Sequence, residues 1–295
     1  MPLPDIVLPQ FVHNSESSFV VSPNKHNGIA EQSVSAMESG LRKGNIYRIL
    51  GFTMNEVLRN AANVIRDADH FIALTGAGIS KESNIPTFRG EDGLWHNYDA
   101  MELATPSAFA RNPTLVWEWY SWRQALIAEC EPNPAHITLA SWEKRGFLKA
   151  LITQNVDGLH IRAGSLNVHE VHGDLWSLKC TSCQYRNRLD TPIIGIPLCP
   201  RCNSLLRPDV VWFGESLDPI IMGQVYTELE RADACIVIGT SAVVQPAASF
   251  PLIVKQRGGK IIEVNIENTP LTELMDFHLS GKAGEILPAL DVLLE

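Results

Sequence analysis

The chain has 295 residues, of which 45% are apolar and 19% charged, and a formal net charge of −9. This is the composition of an ordinary globular protein, and the length admits one large domain or two. The acidic balance argues against a nucleic-acid surface as the main business, because phosphate binding needs clustered Lys and Arg, and no apolar run approaches the roughly 20 residues of a membrane span.

Residues 1–50 differ from the rest. They carry Pro2, Pro4, Pro9 and Pro23, scattered Ser and Asn, and no sustained period, so they read as a mobile extension. Acidic residues at Asp5, Glu16, Glu31 and Glu38, with the first basic residue at Lys25, speak against a transit peptide. No basic region precedes an apolar core as in a signal peptide, and a cytoplasmic location is the expectation. Residues 29–50 leave room for a helix.

From Met54 the apolar positions Val57, Leu58, Ala61, Ala62, Val64 and Ile65 recur at helical spacing, ending at Asp67-Ala68-Asp69. Phe71 to Leu74 read as a short buried strand that runs into Gly76-Ala77-Gly78-Ile79-Ser80. A strand, a Gly-x-Gly turn and a helix make a phosphate-binding geometry in which backbone N–H groups reach a pyrophosphate. The third glycine of the usual fingerprint is missing, so this motif alone is weak. Ile85-Pro86-Thr87-Phe88-Arg89-Gly90 and Trp95 follow, an irregular stretch suited to a lid over a bound cofactor. Thr105-Pro106 and Asn112-Pro113 each read as a helix cap with proline at the first position. The second of these helices holds Trp117, Trp119, Tyr120, Trp122 and Arg123. Packing of a small helical module accounts for the tryptophans. Tyr120 and Arg123, three apart, share a face and can clamp a small carboxylate. Asn133-Pro134 caps a further helix through Leu139 and Trp142, where His136 reads as structural.

The densest polar stretch follows the buried strand of Phe147 to Ile152. It is Thr153-Gln154-Asn155-Val156-Asp157-Gly158-Leu159-His160, with His172-Gly173 beyond it. Amide and carboxylate groups at the carboxyl end of a strand lie where open α/β sheets bind ligands. Cys180-x2-Cys183, fifteen residues, then Cys199-x2-Cys202 has the spacing of a four-cysteine zinc ribbon. Four thiolates close the site, so the zinc is expected to be structural, with Cys130 and Cys235 as small apolar residues. Leu206 to Glu215 reads as an extended segment able to pair with a peptide. A helix over 219–231, strands at Ala234 to Ile238 and Lys260 to Val264, and the polar turns Gly239-Thr240-Ser241 and Asn265-Ile266-Glu267 complete the pattern. Helix, strand and loop in repetition imply an α/β fold with a doubly wound parallel sheet.

Together, residues 76–80, 86–90, 153–160, His172-Gly173, the two cysteine pairs, Val210-Val211-Trp212-Phe213-Gly214-Glu215, Gly239-Thr240-Ser241 and Val264-Asn265 resemble the sirtuins, the NAD-dependent protein-lysine deacylases. The resemblance runs from about residue 54 to the end. It implies a catalytic domain over 51–295, Rossmann-like, with a helical module at about 90–130 and a zinc module at about 176–210 inserted in it. Tyr120, Arg123 and the small Ala104 resemble the subclass that removes malonyl and succinyl groups. Implied cofactor contacts are Gly76, Ala77, Gly78, Ser80, Glu82, Ile85, Pro86, Thr87, Phe88, Arg89, Trp95, Gln154, Asn155, Val156, Asp157, Gly239, Thr240, Ser241, Asn265, Ile266, Glu267 and Ala283. Implied substrate contacts are Ala104, Tyr120, Arg123, Val211, Trp212, Phe213, Gly214 and Glu215. Cys180, Cys183, Cys199 and Cys202 hold the zinc. The implied reaction starts with attack of the acyl oxygen on the anomeric carbon of NAD, and nicotinamide leaves. Asn155 orients ribose or water, and His172 is general base on a ribose hydroxyl. The products are free lysine, nicotinamide and O-acyl-ADP-ribose. Acylated-lysine peptides are the expected partners, with neither nucleic acid nor membrane, and a monomer is favoured. Two departures from the pattern stand out: Asn84 replaces a usual glycine and bears on lid mobility, and Asp209 replaces a frequent histidine and bears on peptide preference. A plain deacetylase, a mono-ADP-ribosyltransferase, an NAD-sensing module and a zinc-ribbon nucleic-acid binder stand as alternatives.

Overall fold

The computed structural model describes residues 53–88, 93–94 and 99–295. The extension at 1–50, Arg89 and Trp95 lie outside the described residues. Helix α1 (Met54–Asp67) begins with a reciprocal cap: the Glu56 N–H donates to the Thr53 hydroxyl and the Thr53 N–H to the Glu56 carboxylate. Val57, Leu58, Ala61, Ala62 and Ile65 form its buried stripe. That stripe covers one face of a six-stranded sheet.

The sheet contains β1 (Phe71–Thr75), β2 (Leu148–Thr153), β3 (Val168–Glu170), β7 (Ala234–Ile238), β8 (Lys260–Asn265) and β9 (Phe277–Ser280) in the order β3-β2-β1-β7-β8-β9. All five pairings are parallel. Every residue of β1 and β7 is buried, as expected of strands covered on both faces. Successive side chains enter opposite cores. Phe71, Ala73, Ile236 and Val264 pack with α1, α5 (Pro134–Lys144) and α9 (Ala283–Val292). Ile72, Leu74, Val237 and Ile261 pack with α7 (Pro219–Arg231) and α8 (Phe250–Gln256). The chain steps outward from β1 to β3 on one side and from β7 to β9 on the other. The order therefore reverses between β1 and β7, and a crevice opens there at the carboxyl ends of the strands.

A third core lies between two smaller elements. One is an antiparallel sheet of β4 (Gly173–Cys180), β5 (Arg186–Arg188) and β6 (Leu206–Val210). The other is a helical group of α2 (Ala100–Leu103), α3 (Pro106–Arg111) and α4 (Pro113–Ala128). Trp117 is buried between them and its indole N–H donates to the Leu206 carbonyl at 2.9 Å. Gln124 bridges the same elements, donating to the Leu175 carbonyl and accepting from the Ile193 N–H. The expected caps form: Thr105 accepts from the Ala108 N–H and Asn112 from the Leu115 N–H.

The helix expected after Gly76 forms as a 3-10 helix, Ala77–Ser83. It stops where Asn84 takes a left-handed conformation (φ 62°), which Asn tolerates better than most residues. The extended reading of 206–215 holds only to Val210. Beyond it, Gly214 is left-handed, the Glu215 N–H donates to the Trp212 carbonyl, and the chain turns.

Candidate active site

A cavity of about 1160 Å³ occupies the crevice and continues to the helical group. Its floor is backbone. The Gly76 N–H donates to the Ile238 carbonyl at 2.9 Å and the Gly78 N–H to the Gly239 carbonyl at 2.7 Å. These two N–H groups tie β1 to β7. A Cβ on Gly78 would stand 2.7 Å from the Gly239 carbonyl oxygen, so only glycine permits this approach. Ala77, between them, lines the cavity at the start of the 3-10 helix.

The β2 end supplies the polar groups. Gln154 donates from its side chain to the Thr240 hydroxyl at 3.0 Å. The Asn155 side-chain amide donates to the Gly76 carbonyl at 3.1 Å and to the Ser80 hydroxyl at 3.2 Å. Both of its amide hydrogens are thereby engaged, and its oxygen is the group left for a ribose hydroxyl or a water. Ser80 passes its own hydrogen to Asp157 at 2.8 Å. Asp157 is buried, which raises its pKa against the pull of the Leu159 N–H, the Ser80 hydroxyl and Arg123. Ser80, Ile85, Pro86 and Asp157 sit behind the cavity wall rather than on it, whereas Thr87, Phe88, Val156, Ser241, Ile266, Glu267 and Ala283 line it.

His172 faces the same cavity from the turn before β4. Its Nδ1 lies 3.0 Å from the Gln154 carbonyl oxygen. A carbonyl only accepts, so Nδ1 carries the hydrogen and Nε2 the lone pair, the tautomer a general base needs. Gly173 is left-handed, and a Cβ there would collide with the Asp209 carbonyl on β6. That close approach fixes the ring's place. Asp209 itself pairs with Lys179 and Arg186 on the small sheet.

The far end of the cavity is lined by Ala104, Trp119, Tyr120, Arg123 and residues 210–215. Tyr120 and Arg123 are 3% and 6% exposed. The Arg123 guanidinium lies 4.8 Å from the Phe88 ring centre and 5.0 Å from that of Trp119. Among the described residues no ion pair engages it, and burial lowers its pKa while Tyr120 and Asp157 oppose that. A cation held this way is an acceptor-seeking group at the end of a cavity.

The four cysteine sulfurs lie within 4.8 Å of one another. Cys180 and Cys202 are 3.4 Å apart, Cys183 and Cys199 3.6 Å. A tetrahedral zinc at about 2.3 Å from each sulfur would hold them about 3.8 Å apart, so the set fits one structural ion. N–H groups of Ser182 and Cys183 point at the Cys180 sulfur, and that of Arg201 at Cys199, which suits thiolates.

Sequence reasoning missed Lys81, Lys282 and Thr269, which also line the cavity. Lys81 follows the glycine turn directly and was within reach of that signal. Glu82 was expected at the cofactor, and its carboxylate also accepts from the Gly284 N–H at 2.9 Å, pinning the start of α9 to the glycine turn.

The Sir2 family model matches residues 76–246. The chain belongs to the Sir2 family. It is 54% identical over 241 residues to an NAD-dependent protein deacylase of Pyrococcus furiosus, covering 79% of this chain and 96% of that one. It is 55% identical over 228 residues to NAD-dependent protein deacylase 1 of Archaeoglobus fulgidus, covering 77% and 93%. Among solved structures, a Sir2 homolog in complex with NAD aligns with a TM-score of 0.77 at 53% identity, over 80% of this chain and 93% of that one. A complex of Sir2, a p53 peptide and NAD+ aligns with a TM-score of 0.71 at 33% identity, over 80% and 96%. This Sir2 protein therefore carries the sirtuin fold, and its crevice and cysteine cluster are consistent with NAD and one structural zinc.

Proposed function

We propose that this Sir2-family protein removes succinyl and malonyl groups from protein lysines, with NAD as co-substrate, and accepts acetyl-lysine less well. The coarser activity, NAD-dependent protein deacylation, is that by which its relatives are named. The observation that carries the finer reading is Arg123: a buried guanidinium, beside the Tyr120 phenol, lining the cavity with no carboxylate within ion-pair distance among the described residues. An acyl chain ending in a carboxylate supplies that partner and accepts from both groups. Ala104 leaves room for the longer chain.

The residues divide the work. NAD supplies an electrophilic ribose carbon with nicotinamide as leaving group. The glycine turn, Gln154, Thr240 and Asn265 shape the seat for its adenosine half. Asn155 offers its amide oxygen to a ribose hydroxyl or water, and His172 Nε2 takes the proton from a ribose hydroxyl. Phe88 and Val211 to Glu215 close the walls and exclude water around the acyl group. The zinc holds the small sheet and takes no part in the chemistry. Cytoplasmic residence belongs to the same proposal, and cell fractionation tests it.

The experiment is NAD-dependent release of free lysine from matched acetyl-, malonyl- and succinyl-lysine peptides, read by mass spectrometry. Faster release of the two acidic groups is expected. Faster acetyl release would reduce the Tyr120–Arg123 pair to helix packing. ADP-ribose found attached to the peptide would favour the transferase alternative.

A further inference from the structure

We infer that Trp212 is an acyl-specificity residue: its indole N–H fixes the Tyr120 hydroxyl as a hydrogen-bond donor toward the acyl group. The inference rests on the acidic-acyl reading above. Trp212 Nε1 lies 2.8 Å from the Tyr120 hydroxyl oxygen, and both residues are buried. An indole nitrogen can only donate. The phenol oxygen therefore accepts there, and its own hydrogen must find a different acceptor. Among the described residues no protein acceptor engages that hydrogen, and Tyr120 lines the cavity beside Arg123. The proton stays in place at any working pH, because burial pushes the phenol up to about 12 against the opposing Arg123 charge.

The indole is held on two sides. Glu215 accepts from the Trp212 backbone N–H at 2.9 Å and takes two bonds from Arg207, at 2.6 and 2.9 Å. The Arg207 guanidinium stands 3.2 Å over the Trp212 ring centre and donates to the Val210 carbonyl at 2.8 Å. The Trp212 N–H thus has a set direction. Its consequence is polarity. Without it, the Tyr120 oxygen could turn to accept from an amide or from Arg123. With it, Tyr120 and Arg123 both turn a donor to the acyl end of the cavity. A carboxylate only accepts and matches both. Its neutral amide isostere keeps one accepting oxygen but puts two N–H donors where the other oxygen stood, so it satisfies the two groups only in part.

The test compares succinyl-lysine with succinamoyl-lysine, identical in shape but ending in an amide, in four proteins: wild type, Trp212→Phe, Tyr120→Phe and the double variant. The ratio of kcat/KM for the two substrates is expected to fall about tenfold in Trp212→Phe, the scale of one hydrogen bond to a charged group. In the Tyr120→Phe background the Trp212 change should move that ratio no further, since its effect passes through the phenol. A ratio unaltered in Trp212→Phe, or two effects that multiply independently, overturns the inference. If wild type shows no preference for succinyl over acetyl, the acidic-acyl reading falls first and this inference with it. Should Trp212→Phe unfold, benzothienylalanine at position 212 keeps the ring shape and removes only the N–H. The same ratio in that protein decides.

Discussion

Replacing Arg123 with Met keeps the stem and removes the charge. In the folded protein Arg123 is 6% exposed, its guanidinium is stacked near Phe88 and Trp119, and no ion pair among the described residues offsets it. A carboxylate bound there would form a charge-assisted pair in a partly desolvated cavity, and loss of one partner of such a pair costs about 2–5 kcal/mol. The cavity is large, at about 1160 Å³, so water enters and the lower part of that range applies. About 2–3 kcal/mol corresponds to roughly a 30- to 150-fold fall in kcat/KM for succinyl- and malonyl-lysine peptides. Acetyl-lysine has no carboxylate at its end and should lose much less. The folded state should suffer little, because the cost of burying the guanidinium opposes what Asp157 and the two rings give it, and the unfolding midpoint of Arg123→Met is expected near that of wild type. The assay is steady-state release of lysine from the three peptides, alongside a thermal melt. Equal losses on acetyl and succinyl peptides, or a markedly lowered melting midpoint, would refute the argument and make Arg123 a packing residue.

His172→Ala should lower turnover by about 10²–10⁴-fold, the usual weight of a positioned general base, with NAD still bound by calorimetry; retained turnover removes the base assignment. Stripping zinc with a strong chelator should lower the melting midpoint and zinc should restore it, whereas an unchanged melt would mean the four cysteines stand without an ion. Acid should destabilise the protein through His136, whose burial lowers its pKa from 6.5 to about 4. The folded value is depressed, so the stability is present above about pH 6.5 and is lost as pH falls toward 4, by about 3 kcal/mol at most. His136→Gln should flatten that stretch of the stability-versus-pH curve, and an unchanged curve would show that other groups carry it.

Much of the scaffold was legible because burial writes itself into local sequence. Phe71 to Leu74 and Ala234 to Ile238 are unbroken apolar runs, and they are strands buried on both faces. Thr105, Asn112 and Asn133 were readable as caps because a cap is a short-range event. The cysteine spacing announced its cluster for the same reason. What escaped were meetings across the chain. Nothing near Gly78 says that its N–H is taken by Gly239, and nothing near Glu82 says that it reaches Gly284. The Trp212–Tyr120 bond spans 92 positions. Periodicity tells which face is buried; it does not tell which distant group arrives there. The 206–215 run misled because Val-Val-Trp-Phe has strand-forming residues, while the Glu215 carboxylate captures the Trp212 N–H and bends the chain.

The cores also separate two kinds of change. In the proposed function, the glycine turn and the β-strand ends over two of the cores would seat the nucleotide. Tyr120, Arg123, Ala104 and Trp212 belong to or border the third core, together with the cysteine sheet. A sequence drifting within that third core could alter which acyl group is taken without disturbing how the nucleotide is held. On the proposed reading, the choice of acyl group would be an exchangeable fitting on a fixed engine, with the cysteine sheet as its mount.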